Sequence, residues 1–356
     1  MSPEWQQQLA FTLTVTTSYE GAAALLRRLG HGADDATLHA LAQKLGGRAE
    51  VQTQQRLERL AVEQTPQRAA SEPGILMLDG WQVRQRGLGW GKAKTQNPRV
   101  EWHELKTGVF YLQEQAARKN GRGMLTDKVV VRWQGEPLEL GRRRHQAAWE
   151  QGLGRAREKR VVSDGAPWIW NVVQDRWRGA VELLDFYHAS QHVWALGEAV
   201  QGTREAARDW AEKQLHQLRH GRQAAALRAI AGLKIGRSQA GKVIRREQNY
   251  FAGHAGRMNY RAAAQRGWPI GSRPVESACL QRLGRFKRSG QFWTPPGLRH
   301  LSALIEARQN GHWDALWNQL PGEPVRCTPY SLPPLFPLRR SQRRGVRSGG
   351  LVSTLA

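Results

Sequence analysis

Three acidic residues stand where a fold could bring them together: Asp79, Asp164 and Glu276. Asp79 closes the apolar run Ile75-Leu76-Met77-Leu78, and Asp164 follows the shorter run Val161-Val162. Both runs read as buried strands, and strand ends are where α/β folds place chemistry. Glu276 lies in the first turn of a helix that Pro274 can start. On it Glu276, Cys279, Leu283 and Phe286 share one face, so the acid is expected to point with the apolar stripe toward the sheet. An acid in that position is costly unless something positive meets it. A divalent cation shared with two strand-end aspartates would do so. Hard cations such as Mg2+ take oxygen ligands and keep waters for a substrate. Two of them about 4 Å apart can clamp the attacking and leaving oxygens of a phosphodiester displacement. Taken singly, each acid also has an ordinary reading, as a turn residue or as a favourable charge at a helix start.

The elements that must position these acids are legible around residues 160–194. Gly165 frees the backbone after Asp164, and Pro167 suits a first helical turn. Ile169, Val172, Val173 and Trp177 follow at helical spacing. A second apolar run, Val181 to Phe186, carries Asp185 and leads to His188 and His192. Upstream, a strand through Ile75 to Val83, a hairpin loop from Trp90 to Arg99, a strand from Glu101 to Leu112 broken at Gly108, and a strand from Lys128 to Trp133 are expected. A helix from Arg142 to Lys159 completes the order β-β-β-α-β-α-β. The two histidines read as a strand-end pair; no third soft ligand lies near enough in sequence for metal binding. Trp168 and Trp170 read as core residues or as platforms for a base, and Cys279 as a small packed side chain.

The flanks are helical. Trp5 to Leu13 is one candidate helix, Ser18 caps a second, and Asp34 or Asp35 a third. Two short helices about Gly30 and Gly32 fit a helix-turn-helix as well as a plain helical cap. Five segments result: a helical region 1–70, its last part a polar connector; a first core part 71–194; an all-helical insertion 195–270; a second core part 271–320 with the Glu276 helix; and a Pro/Arg-rich tail 321–356. The tail's composition is that of a disordered segment.

Lys and Arg number 54 against 30 Asp and Glu, a net charge of +24 spread along the whole length. Such an excess calls for a polyanionic partner, first of all nucleic acid. Arg282, Arg285, Lys287 and Arg288, on the remaining faces of the Glu276 helix, are candidate phosphate contacts. Cys279 and Cys327 are far apart, which excludes a zinc ribbon or a disulfide framework and suits a reducing cytoplasm. No apolar run approaches the ~18 residues of a membrane span, and the N-terminus lacks the pattern of a signal peptide.

The strings D-G-A-P-W-I-W, L-L-D-F-Y-H-A-S-Q-H and G-S-R-P-V-E-S-A-C…R-F-K-R-S-G-Q-F-W, in this order, resemble bacterial insertion-sequence transposases of the ISKra4 type. The resemblance covers about residues 71–320. It implies an α/β fold with an RNase H-like core of the DDE group, in which Asp79, Asp164 and Glu276 hold two Mg2+ ions, Mn2+ substituting. It implies that 195–270 is the insertion such cores carry before the Glu helix. Asp185 and His188 match a D-x-x-H motif of related Mutator-like enzymes, which assigns them and His192 to ordering DNA near the metals. A longer end-recognition part at the N-terminus is expected of the family. The implied activity is binding of element inverted repeats, hydrolysis to expose 3′-OH ends, and attack of those ends on target DNA. The partner is double-stranded DNA, held by a homodimer in the bacterial cytoplasm at the nucleoid. A catalytically silent DNA-binding descendant of a transposase and a host RNase H-like nuclease are the alternatives.

Overall fold

The computed structural model describes residues 1–62, 73–120, 122–153 and 156–318. The expected basic tail, Cys327 and the end of the polar connector lie outside them. Five strands form one sheet in the order β5-β2-β1-β6-β7. They are β1 (Gly74–Arg86), β2 (Val100–Leu112), β5 (Val129–Trp133), β6 (Lys159–Ser163) and β7 (Val181–Leu184). β2 runs antiparallel to β1 and to β5, while β1, β6 and β7 are mutually parallel. Leu78 pairs with Ser163, and Ser163 with Leu184.

The sheet is covered on both faces, which explains why its strands are apolar without alternation. Leu76, Leu78, Phe110 and Val161 face α4 (Pro137–Glu150) and α5 (Pro167–Arg176). Ile75, Met77, Val109 and Val162 face α6 (Phe186–Gln201), α11 (Arg273–Phe286) and α12 (Pro295–Gln309). Each such side chain, fully buried, contributes roughly 1.5–3 kcal/mol of transfer free energy. Between α6 and α11 the chain is helical: α7 (Arg204–Arg219), α8 (Gln223–Ala231), α9 (Gln239–Gly253) and α10 (Tyr260–Gln265). No helix among the described residues is long and apolar enough to cross a membrane.

Several local expectations change. The helix anticipated over 142–159 begins at Pro137, the favoured first-turn position, and ends at Glu150; Gly152, at φ 103°, turns the chain out of it. A small hairpin, β3 (Ala116–Lys119) and β4 (Arg122–Leu125), turns through Asn120 at φ 52°. Its Asn-Gly pair was the available signal. β2 is unbroken at Gly108. The guanidinium of fully buried Arg144 crosses from α4 and donates to the Gly108 carbonyl at 2.7 Å. A Cβ at Gly108 would lie 2.4 Å from the Arg144 Cδ. The run Val181 to Phe186 is strand only to Leu184, because Asp185 caps α6.

At the N-terminus Ser2 caps α1 (Pro3–Val15) and Ser18 caps α2 (Tyr19–Arg28). The third helix, α3 (Asp35–Val62), is 28 residues long and absorbs much of the expected connector. Its apolar face joins α1 and α2 to α12 and α13 (Trp313–Asn318) through Leu38, Leu45, Leu304 and Leu316. The crossing of α3 over α12 is close. A Cβ at Gly46 would lie 2.3 Å from the His300 carbonyl oxygen.

That contact makes a test of this packing. Gly46→Ala gains up to ~1 kcal/mol of helix propensity, but overpacking against backbone typically costs about 1–3 kcal/mol. A net loss of stability is expected in urea denaturation. A variant as stable as the wild type would show that α3 and α12 do not cross at Gly46.

Candidate active site

In each of the three parallel strands the residue after the last parallel pair is an aspartate: Asp79 after Leu78, inside β1, and Asp164 after Ser163 and Asp185 after Leu184, just past the ends of β6 and β7. The register therefore sets three aspartates in a row along one edge of the sheet. Hydrogen bonds lock it: the Leu78 N–H donates to the Ser163 Oγ at 3.0 Å and the Asp185 N–H to the Ser163 carbonyl at 2.8 Å.

Asp79 is half-buried and poorly provided for. Its Oδ1 accepts from the Gly80 N–H at 2.7 Å, and the Cys279 thiol also donates to it. Burial, then the charges of Asp164 and Glu276, raise its pKa from 3.8 to about 6. The neighbouring thiol, buried and facing this carboxylate, is itself pushed up to about 12. Asp164 sits at a corner that its own side chain helps build. Its Oδ1 accepts from the Ala166 N–H at 3.1 Å, across Gly165 at φ 98°. The Tyr250 hydroxyl, from α9, donates to the Asp164 carbonyl at 3.0 Å.

Glu276 reaches this neighbourhood from the first turn of α11, and both Asp79 and His188 feel its charge. Its placement differs from expectation. The buried stripe of α11 is Val275, Ala278, Cys279 and Phe286, whereas Glu276 is exposed at the rim. The buried face is centred between Val275 and Cys279, so the acid avoids desolvation and needs no partner inside the sheet.

Asp185 was a candidate DNA contact, and the structure corrects this. It is fully buried and caps α6, accepting from the Tyr187 and His188 N–H groups at 2.6 and 2.9 Å. The Ser272 backbone N–H and hydroxyl also donate to it, and that hydroxyl lies 3.1 Å from the Glu276 Oε1. Asp185 thus ties β7 and α6 to the loop that launches α11, and no face remains for DNA.

His188 and His192 lie one turn apart on α6, not at a strand end, because the Asp185 cap starts the helix beneath them. Their Nε2 atoms are 3.2 Å apart, and the His192 Nδ1 meets the Glu247 carboxylate at 2.5 Å. Glu247 is fully buried on α9 and is also held by Arg246. Tyr250 stacks on His192, with ring centroids 3.8 Å apart. Burial lowers the His188 pKa, against the pull of Asp164. Glu247, Tyr250 and His254 escaped the sequence reading. Their spacing of three and four residues puts Glu247 and Tyr250 on one face of α9 with His254 following at its C-cap, which was the available signal.

Among the basic candidates, Arg285 is corrected as well. It is buried, donates to the Thr17 carbonyl at 3.1 Å and lies over the Tyr19 ring, so it joins α11 to the N-terminal helices. Lys287 and Arg288 are exposed; the side chain of Arg282 lies outside the described residues. Trp170 is core, and Trp168 is half-buried with Lys106 over its ring.

Among the described residues no three His, Cys, Asp or Glu side chains stand close enough, as placed, to hold one metal ion. What the site offers a cation is the chemistry of its donors. Burial and the charge of Asp164 together raise the Asp79 pKa, and Glu276 adds a third carboxylate at the rim. Oxygen donors of this kind fit a hard divalent ion.

The raised Asp79 pKa has a signed consequence. The folded state, with a pKa of about 6 against 3.8 unfolded, holds more protons between those values. Stability therefore falls as pH rises through that window and stays lower above it. Asp79→Asn removes the penalty and is expected to stabilise the protein at pH 8, in chelator, by on the order of 1–2 kcal/mol after allowing for partial exposure. The gain shrinks toward pH 4. Urea denaturation of both proteins across that range checks it, and a gain independent of pH would refute the raised Asp79 pKa.

No family model and no curated protein matches the chain. A solved structure, the Drosophila P element transposase strand transfer complex, is similar at 10% identity over 88% of this chain and 79% of that chain, with a TM-score of 0.29. Values this low carry no structural argument.

Proposed function

We propose that the chain is a DNA transposase of the DDE group, built on an RNase H-like core and similar to the ISKra4 type. The observation that carries the proposal is the strand register. Asp79 and Asp164 each follow the last pair of the β1–β6 parallel ladder, at the same level, and α11 brings a third carboxylate into the field of the first. The strand order, with an antiparallel β5-β2-β1 half and a parallel β1-β6-β7 half joined through α4 and α5, supports an RNase H-like core. The net charge of +24 supports DNA as the substrate. The helical stretch α7 to α10, lying between β7 and the Glu276 helix, supports the insertion.

In this reading Asp79, Asp164 and Glu276 hold magnesium, which when bound activates water and then a 3′-hydroxyl toward phosphorus. The protein's own part is positioning. The Gly80 N–H and the Cys279 thiol orient the Asp79 carboxylate. The Ala166 N–H and the Tyr250 hydroxyl fix the Asp164 corner from two elements. Ser272 donates its N–H and its hydroxyl to the buried Asp185, so the start of α11, one turn before Glu276, cannot drift from the strand edge. His188 and His192 stand beside the carboxylates in a place where they could order a phosphate, with Glu247 fixing the His192 ring.

The direct test offers the purified protein, with Mg2+ or Mn2+, a labelled duplex of the DNA that flanks the gene. A metal-dependent nick leaving a 3′-OH is expected, reduced at least about 10³-fold in Asp164→Asn, as loss of a dominant electrostatic contact implies. Binding without cleavage would favour a silent DNA-binding protein, and cleavage surviving in Asp164→Asn would refute the assigned acids.

A second test needs no DNA. An ion that binds only the folded site raises the melting temperature, by ~2.7 kcal/mol of stability at a hundredfold excess over its Kd. Millimolar Mg2+ is expected to raise the melting temperature of the wild type and not that of Asp79→Asn. An equal rise in both would place the bound ion elsewhere.

A further inference from the structure

We infer that Trp81, Thr107 and Cys279 form a one-way hydrogen-bond chain that fixes the Asp79 carboxylate for its cation, with Trp81 and Thr107 as further positioning residues of the site. This role rests on the metal reading proposed above and adds what holds the first of its ligands in place.

The β1–β2 register puts the members side by side. Thr107 on β2 is the direct partner of Asp79 on β1, and Trp81 stands two residues beyond Asp79, so all three side chains lie on one face of the ribbon. That face is the one covered by α11, which brings Cys279 onto it beside Val275 and Ala278. Trp81, Thr107 and Cys279 are all buried. The Trp81 indole N–H donates to the Thr107 hydroxyl oxygen at 3.3 Å. The Thr107 hydroxyl is hydrogen-bonded to the Cys279 sulfur, and the thiol to the Asp79 carboxylate.

Only one direction satisfies this set. An indole is a donor alone, and an ionised carboxylate accepts alone. Thr107 therefore receives from Trp81 and turns its own proton to the sulfur, which leaves the thiol proton for Asp79. Every bond in the chain points its positive end toward the carboxylate, and successive bonds in a buried chain polarise one another. A thiol is a weak donor by itself; one that receives a hydroxyl proton donates more strongly. With the Gly80 N–H on Oδ1 at 2.7 Å, two donors hold the Asp79 carboxylate against rotation and leave its other lone pairs for a ligand. The origin of the chain is fixed as well. The Trp81 ring packs near Phe286, at 6.4 Å between centroids, so the same helix that carries the thiol seats the indole. Partners that orient a ligating carboxylate in this way typically change metal affinity by about 10- to 100-fold.

The test uses the full chain with Cys327→Ser, so that Cys279 supplies the single S–H stretching band of the infrared spectrum. Without metal, the band is expected at lower frequency than in Asp79→Ala, whose thiol has lost its acceptor. Thr107→Val, which keeps the shape and removes the hydroxyl, is expected to move it part of the way up. Saturating Mg2+ raises it too, because the ion draws charge from the carboxylate. Thermal shift with Mg2+ as the added ligand gives the second readout. Cys279→Ala and Thr107→Val are expected to need roughly tenfold more Mg2+ for a half-maximal shift, and Cys279→Ser and Thr107→Ser, which keep a donor, less than about threefold more. A band indifferent to Thr107→Val, an unchanged Mg2+ requirement in Cys279→Ala, or an equal loss in Cys279→Ala and Cys279→Ser overturns the chain and leaves Cys279 a packed side chain. No response of the wild type to Mg2+ in either measurement would sink the metal reading and the chain's role with it. A wild-type response that none of these variants alters would sink the chain alone.

Discussion

The parallel pairing of three strands stops in register, and in each the next residue is an aspartate. Adjacent strands lie ~4.8 Å apart, so β1, β6 and β7 hold Asp79, Asp164 and Asp185 within Coulombic range of one another. Like charges this close cannot all ionise without cost. Much of the architecture around the sheet edge is a response to that constraint.

The fold resolves the conflict by treating the three acids differently. Asp185 takes four donors and is sealed under α6 and the start of α11, where it acts as a structural tie. Asp79 receives a thiol and a single backbone N–H, and its pKa rises to about 6. Asp164, at a glycine corner, remains half-buried and open enough to meet a ligand. The acid with satisfied partners stabilises the site. Asp79, with fewer donors, is left with a raised pKa and so at a cost in stability when ionised.

Elements distant in sequence brace this edge. Tyr250 of α9 reaches the Asp164 carbonyl, and Glu247 of the same helix reaches His192. At Gly165 a Cβ would come within 3.0 Å of His254, so α9 is seated directly on the corner. On the other flank Arg285 binds α11 to the N-terminal helices through Thr17 and Tyr19. The helical stretch before α11 and the N-terminal helices are therefore parts of one packed body around the strand ends. The basic residues most useful inside that body, Arg144 and Arg285, are not those that face solvent.

Local chemistry alone made much of this legible. The runs Ile75 to Leu78 and Val161 to Val162, the glycine after each aspartate, Pro167, and Ser18 as a cap are decided by short-range sterics and hydrogen bonding, and they occur where the residues indicate. The aspartates that follow the apolar runs were legible for the same reason, although Asp79 lies inside β1 and not at its end. Residue spacing could not decide which carboxylate would be buried. Asp185 and Asp164 both follow apolar runs, yet only Asp185 meets Ser272, eighty-seven residues away. Likewise Glu276 shares helical phase with Cys279, but the sheet meets α11 between Val275 and Cys279 and leaves the acid at the rim. Arg285 read as a surface cation until the N-terminal helices covered it. A side chain's period specifies a face; only the packing of that face against another element decides whether its charge is solvated, paired or kept for a ligand.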